Sequence, residues 1–429
     1  VEETIFALAT AQGKAGVAVV RLSGGQSVAV LNALGGTAPG PRSSRLCVLR
    51  DESGDVLDHA LVLRFAEGAS FTGEDVVELH LHGSVAIVRA VLAAIQATGL
   101  ARLAEPGEFT RRALMNGRLD LAQVQGLADA IDAETDSQRR HAMRVMGGEV
   151  GEMIAGWRTK LVRAIALVEA TIDFADEDVP EDVDPEVLDL IDDVRQSVAE
   201  ELAGVKGATR LKTGFEVAIV GAPNAGKSSL LNALARSDVA IVSEIAGTTR
   251  DVIEVRIDIN GLPVTFLDTA GLRDTTDAIE RLGVERAKTR ADRADLRVFL
   301  YDAVDQPSWP VEVRDQDIVM RTKVDLCDDG TAGISSVTGF GLKSLTDSVF
   351  RTLEGEVADA GLISQARDRE ALESASAALD EVARRYDALP PEIASEMLRK
   401  AADTLQTIIG GVDIEAILDE VFSSFCLGK

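Results

Sequence analysis

The 429 residues include 71 acidic and 44 basic side chains, a formal net charge of −27, which excludes nucleic-acid binding through a broad electrostatic footprint. No run of about eighteen apolar residues occurs, so no membrane span is expected, and the start VEETIFALAT has neither a basic stretch nor a cleavage pattern. Three scattered cysteines (Cys47, Cys327, Cys426) exclude a disulfide framework and point to a reducing cytoplasm; of four histidines only His80 and His82 lie close, which gives no zinc signature.

Such a length suggests two or three domains. Val17–Leu22, Ala60–Phe65 and Asp75–Leu81 read as strands, and Ser84 is placed to cap a helix with Val85, Val88, Leu92 and Ile95 on its apolar face. Residues 1–117 are therefore expected to form an α+β domain with one clear helix. A helical period follows over 118–209, through Leu121, Val124, Leu127 and Ile131, a break at Gly147-Gly148, and then Ile154, Trp157, Leu161, Ile165, Val168 and Ile172. An acidic connector, DFADEDVPEDVDPE, precedes another helix expected at about 186–205.

Residues 210–360 alternate strands and helices: Glu216–Val220, Val252–Ile259, Val264–Leu267, Leu296–Tyr301 and Ile318–Arg321, with Asn260-Gly261 as a hairpin turn. This predicts a mostly parallel sheet with helices on both faces. The helical period returns over 361–429, at Leu372, Leu379, Val382 and Tyr386, then Ile393, Met397, Leu398, Leu405, Ile408 and Ile409. The fold class is thus multidomain α/β, with a Ras-like P-loop G domain inserted in an all-α helical domain and an α+β domain in front.

Gly221 to Ser228 reads GAPNAGKS, a Gly-x-x-x-x-Gly-Lys-Ser phosphate loop between a strand and a helix. Its glycines let backbone N–H groups turn towards phosphate oxygens, and the helix adds its positive end. Asn224, Ala225, Gly226, Lys227, Ser228 and Ser229 are the candidate nucleotide contacts, with Lys227 on the outer phosphates and Ser228 on Mg²⁺. Four further segments fall in the order of a guanine-nucleotide switch. Ser243, Glu244, Ile245, Ala246, Gly247, Thr248 and Thr249 form the first, where Thr249 caps Mg²⁺ and senses the γ-phosphate. Asp268, Thr269, Ala270 and Gly271 form the second, where Asp268 supports the metal. Thr322, Lys323 and Asp325 then address the guanine edge, backed by Ser335, Ser336 and Val337. Thr322 stands where asparagine is usual and keeps an oxygen while losing an amide N–H₂, so weaker bracing of this loop is expected. Leu272 stands where Ras-like switches carry the water-orienting glutamine, so hydrolysis needs another group, with candidates at Arg273 to Asp277 and at Glu280.

These residues resemble the MnmE (TrmE) family of tRNA-modifying GTPases. The resemblance runs through TIFALAT, RLSG at 21–24, FTGEDVVELHLHG at 71–83, RLDLAQ at 118–123, NAGKSSLLNAL, IVSEIAGTTRDV, DTAGLR and the terminal FSSFCLGK. It implies an N-terminal folate-binding domain and K⁺-dependent GTP hydrolysis, with G domains pairing in a homodimer. K⁺ falls to Asn224, Ser243, Ile245 and Thr248, and the water-orienting glutamate to Glu280. It also implies that, with the flavoprotein MnmG, the chain adds an aminomethyl-type group to the wobble uridine of tRNA. The one-carbon unit comes from a reduced folate, 5-formyl- or methylene-tetrahydrofolate. Folate contacts fall to Arg21, Glu78, Arg118 and Lys429; Arg118 replaces a lysine common in the family, keeping charge while changing contact geometry. Cys426 reads either as a thiol carrying the one-carbon unit or as a buried residue of a docked tail. The acidic chain fits a machine whose RNA is held by a partner. The other reading, an Era/Der-type ribosome-assembly GTPase, requires a basic RNA-binding module, which the sequence lacks.

Overall fold

The computed structural model describes residues 3–173, 183–222, 224–237, 240–241, 254–268, 289, 291–302, 309, 311–327 and 332–410. The chain divides into two compact units, one of residues 1–128 with 407–429, the other of residues 129–406.

Among the described residues the first unit holds six strands: β1 (Ile5–Leu8), β2 (Val17–Ser23), β3 (Ser44–Arg50), β4 (Val56–Phe65), β5 (Val76–His82) and β6 (Arg102–Leu103), in the order β3-β4-β5-β2-β1-β6. All pairs are antiparallel except β1 with β6. Alternation sets the two faces. Val20 and Leu22 of β2, with Val77, Leu79 and Leu81 of β5, join Val30 and Leu31 of α1 (Ser27–Ala33) and Val91 and Ile95 of α2 (Val85–Ala97) in one core. The intervening residues Arg21, Glu78 and His80 therefore lie on the opposite face and are half-buried.

α3 (Glu108–Met115) lies by β1, where Phe109 is buried with Ile5 and Ala7. It is locked by Arg112, only 5% exposed, which donates to both carboxylate oxygens of Glu74 (3.1 Å each), to Glu108 (2.9 Å) and to the Glu3 carbonyl (2.8 Å). Such a buried cation is tolerable because its charge is compensated on two sides. Besides α2, the one clear helix expected here, the structure adds the short α1 and α3. α1 and α3 have seven and eight residues, and β1 and β6 have four and two, too few for a clear period. Ser84 occupies the N-cap position of α2 without a side-chain capping bond, and Val85 is exposed while Val91 is buried. α4 (Leu121–Asp132) follows, opened by reciprocal bonds between Asp120 and Gln123.

In the second unit, α5 (Asp136–Met146) starts with a capping box between Thr135 and Gln138. α6 (Glu149–Asp173) buries Ile154, Trp157, Leu161 and Val168, and Trp157 Nε1 donates to Ser197 Oγ at 2.9 Å on α7 (Asp184–Thr213). α7 runs eight residues past the expected end at 205. Gly204 and Gly207 have a packing role there: a Cβ on Gly204 would stand 2.4 Å from the Gly361 nitrogen, and one on Gly207 2.8 Å from the Glu356 carbonyl. Further along, α10 (Ala366–Arg385) packs on α7, and α11 (Pro391–Gln406) packs on both α6 and α10. The buried face of α11 is Ala394, Leu398, Ala401 and Leu405; Ile393, expected among them, is exposed because it lies in the first turn outside that stripe.

Between α7 and α10 in sequence lies a five-stranded sheet: β7 (Phe215–Gly221), β8 (Glu254–Ile259), β9 (Leu262–Asp268), β10 (Leu296–Asp302) and β11 (Ile318–Thr322), ordered β11-β10-β7-β9-β8. Among the described strand pairs only β8–β9 is antiparallel, as expected for a hairpin. One face packs on α8 (Lys227–Ala235) and α9 (Leu342–Leu353) through Leu230, Leu231, Leu234, Leu345 and Val349. The other carries Ala218, Val220 and Phe299 against Ala291 and Ala294. At the hairpin turn Asn260 and Gly261 both have positive φ (52° and 94°), the type I′ signature. A Cβ on Gly261 would meet Ser137 Oγ of α5 at 2.4 Å, and Arg256 of β8 pairs with Glu134 at 2.8 Å.

Gly261→Val therefore combines left-handed strain with a clash on α5, and should lower stability by about 1–3 kcal/mol, read as a drop in melting temperature. Ser137→Gly in the same chain should return part of that loss, whereas an unchanged midpoint would contradict the contact.

Candidate nucleotide site

The strand β7 ends at Gly221, where a Cβ would stand 2.6 Å from the Leu300 carbonyl, so only glycine lets the chain turn beside β10. Asn224 and Gly226 are both left-handed, at φ 66° and 93°, and the loop then enters α8 at Lys227. Ala225 is buried under it. Lys227 is 8% exposed, and its ammonium donates to the Gly221 and Ala222 carbonyls at 2.8 and 3.0 Å. The cation thus lies against the loop carbonyls, and it and the loop N–H groups are both donors that a phosphate could accept from.

Ser228 and Ser229 are exposed in the first turn of α8. Ser228 Oγ donates to Asp268 Oδ2 at 2.9 Å, although the two are forty residues apart. The other oxygen, Asp268 Oδ1, is buried and has no hydrogen-bond partner among the described residues. An orphaned carboxylate oxygen costs about 1–3 kcal/mol or more. Here it sits beside a hydroxyl at a helix N-terminus, an oxygen set that suits a hard divalent cation shared with phosphate oxygens.

Thr322 closes the loop from behind. It is 3% exposed, and its hydroxyl lies 2.8 Å from the Ala225 carbonyl and 3.2 Å from that of Tyr301, so it ties β11 to the phosphate loop. Some bracing therefore survives without an amide at this position. Lys323 is left-handed (φ 57°) and its ammonium reaches Asp302 at 2.6 Å. Asp325 is exposed in the short 3-10 turn that follows. A bridge from Thr322 to Ile334 brings Ser335, Ser336 and Val337 alongside. Ser335 is fully buried, and its hydroxyl accepts from the Val337 and Thr338 N–H groups at 3.3 and 3.2 Å, which shapes the turn there. Ser243, Glu244, Ile245, Ala246, Gly247, Thr248, Thr249, Thr269, Ala270, Gly271, Leu272, residues 273–277, Glu280, Cys426 and Lys429 lie outside the described residues.

On the first unit's open face, Arg21 and Glu78 sit in register on β2 and β5, and Arg21 Nε donates to Glu78 Oε1 at 3.0 Å. The guanidinium lies 5.7 Å from the ring centres of both Phe71 and Phe109. Phe71 opens the FTGEDVVELHLHG stretch, whereas Phe109 lies in none of the motifs, and the fold brings the two rings together. Arg118 is exposed, and its stem borders the loop of Phe71: a Cβ on Gly73 would stand 3.3 Å from Arg118 Cγ. A half-buried carboxylate paired with an arginine that lies against two aromatic rings suits a flat heterocyclic amine carrying an acidic tail. Asp58 shows a separate polar clasp. Burial opposes its ionisation, but the His82 ring and the His82 and His59 N–H groups outweigh that and hold its carboxyl below the usual range.

Two family descriptions match the chain: "MnmE helical domain" over residues 121–426, and "GTP-binding protein TrmE N-terminus" over residues 4–118. Over its full length the chain is 54% identical to the tRNA modification GTPase MnmE of Roseobacter denitrificans and 55% identical to that of Cereibacter sphaeroides, covering all of each. The chain belongs to the MnmE family. It is accordingly a GTPase, a hydrolase of tRNA modification. The Era/Der alternative is not favoured by these full-length matches. A solved structure of Aquifex aeolicus Era is 29% identical over 32% of this chain and 56% of its own, at a TM-score of 0.25, where likeness carries no argument. No helix among the described residues is long and apolar enough to cross a membrane.

Thr322→Val keeps the shape and removes the hydroxyl that ties β11 to Ala225. Loss of one such buried bond should weaken GDP and GTP binding about three- to tenfold, measured with a fluorescent nucleotide. Unchanged affinity would mean that the tie does not support the loop.

Proposed function

We propose that this chain hydrolyses GTP with Mg²⁺ and K⁺ and, with the flavoprotein MnmG, adds a carboxymethylaminomethyl-type group to the wobble uridine of tRNA, using a one-carbon unit from a reduced folate. The single observation that carries the nucleotide half is the Ser228–Asp268 pair with its orphaned Oδ1 beside the lysine-filled loop. The Arg21–Glu78 pair against Phe71 and Phe109 supports the folate half.

In this reading the chain has a folate-binding domain at 1–117 and a helical domain at 118–209 and 361–429, interrupted by a G domain at 210–360. The packing of α7 on α10 and of α6 on α11 supports an insertion, because the helices before and after the sheet complete one another. Lys227 neutralises the outer phosphates; Ser228 and Thr249 hold Mg²⁺, with Asp268 behind them. Asn224, Ser243, Ile245 and Thr248 hold K⁺, which when bound supplies positive charge beside the phosphates. Glu280 orients the attacking water, a task that Leu272 cannot perform. Asp325, with Lys323, Ser335, Ser336 and Val337 around it, selects guanine. Arg21, Glu78, Arg118 and Lys429 hold the folate, and Cys426 is the candidate thiol for the one-carbon unit. The active form is a homodimer whose G domains pair, and it acts in the cytoplasm, where tRNA is modified. A net charge of −27 supports delegation of the RNA to the partner.

Replacing Na⁺ with K⁺ should raise GTP turnover at least tenfold with no added protein activator, and Glu280→Ala should bind GTP yet lose most of that turnover. Equal rates in both salts would overturn the K⁺ assignment, and normal turnover of the Glu280 variant would overturn the role of that carboxylate.

A further inference from the structure

Glu78 has a second partner that no folate assignment includes. β5 alternates, so Val77, Leu79 and Leu81 enter the core while Glu78 and His80 share the opposite face. His80 Nε2 lies 3.4 Å from Glu78 Oε2, and Arg21 Nε lies 3.0 Å from Glu78 Oε1. Each carboxylate oxygen therefore has its own side-chain partner. The cross-strand neighbours of His80 are Val19 and Leu61, whose side chains offer the ring no hydrogen bond. Both members of the pair are half-buried or more, at 27% and 15% exposure, so solvent competes weakly for the contact.

The final torsion of a glutamate side chain is broad, and a carboxylate held at one oxygen can still swing about it. A donor on each oxygen fixes its plane, while each oxygen keeps a further lone pair for another donor. A fixed plane matters for a ligand that presents two adjacent N–H groups from one flat ring, because both bonds must form together. We propose that His80, donating from Nε2, is a positioning residue that sets the plane of the Glu78 carboxylate for the paired N–H groups of a reduced-folate pterin. This rests on the folate reading of the site given above.

The test is isothermal titration of the full chain with 5-formyltetrahydrofolate, with melting midpoints recorded for every variant. His80→Leu should weaken binding about tenfold at an unchanged midpoint. His80→Gln, which returns a side-chain N–H near the same place, should bind within about twofold of the unmodified chain. Glu78→Gln should bind at least a hundredfold more weakly. If His80→Leu binds normally while Glu78→Gln does not, the positioning role is refuted and the folate reading stands. If His80→Gln is as weak as His80→Leu at matched midpoints, ring packing rather than donation is at work, and the proposal again fails. Normal binding by Glu78→Gln would instead overturn the folate reading itself.

Discussion

The structure of the nucleotide region depends on the parallel register of β7 with β9 and β10. That pairing sets Ile219 against Asp268 and Gly221 against Leu300, and the next pair sets Asp302 against Thr322. Parallel strands deliver their C-terminal ends to one edge of the sheet, where ligands of such folds collect. Three separate stretches of sequence thereby converge: the phosphate loop after β7, Asp268 at the end of β9, and Thr322 to Asp325 at and beyond the end of β11. A shift of one residue in β9 would turn the Asp268 side chain to the other face and separate it from Ser228. The buried apolar residues on both faces of these strands make such a shift costly.

The first unit solves a different problem with a different sheet. Its strands are mostly antiparallel, so one face is given to the core and the other, covered at β1 by Phe109 of α3, keeps Arg21, Glu78 and His80 half-buried. Arg21, Glu78 and His80 fall there through alternation alone. What shapes the surroundings is the buried Arg112, which joins α3 to Glu74 and to the Glu3 carbonyl. The same Glu74 accepts from Ser23 Oγ at 2.6 Å, and Asn116 donates to the Thr72 carbonyl at 2.7 Å. These bonds fasten the segment that carries Phe71 and Gly73, and so place an aromatic ring beside Arg21 and the Arg118 stem beside Gly73.

Much of this was legible in the sequence because the relevant signals are local. The Gly-x-x-x-x-Gly-Lys-Ser run, the β-branched strands of the second sheet and the Asn260-Gly261 turn each state their geometry within a few residues. The long helices were legible through their three- and four-residue spacing. What stayed hidden depends on distant partners. Gly204 and Gly207 look like helix breakers until the backbone at 356–361 is seen against them. Arg112 reads as a surface charge until two carboxylates and a carbonyl surround it. β1 and α1 are too short for periodicity to speak. Phe109 reads as an ordinary core residue, and its place under Arg21 follows only from the row Ala7, Arg21 and Glu78 across three strands.

We propose that Asp268 and Ser228, hydrogen-bonded to one another at 2.9 Å, serve the same metal ion, which the nucleotide brings. Binding of a fluorescent GTP analogue to Asp268→Asn, titrated with Mg²⁺, tests this most directly. The unmodified chain should bind much more tightly as Mg²⁺ is added, and the variant should lose most of that response while keeping its metal-free affinity. A variant whose affinity rises with Mg²⁺ as steeply as that of the unmodified chain would contradict the account.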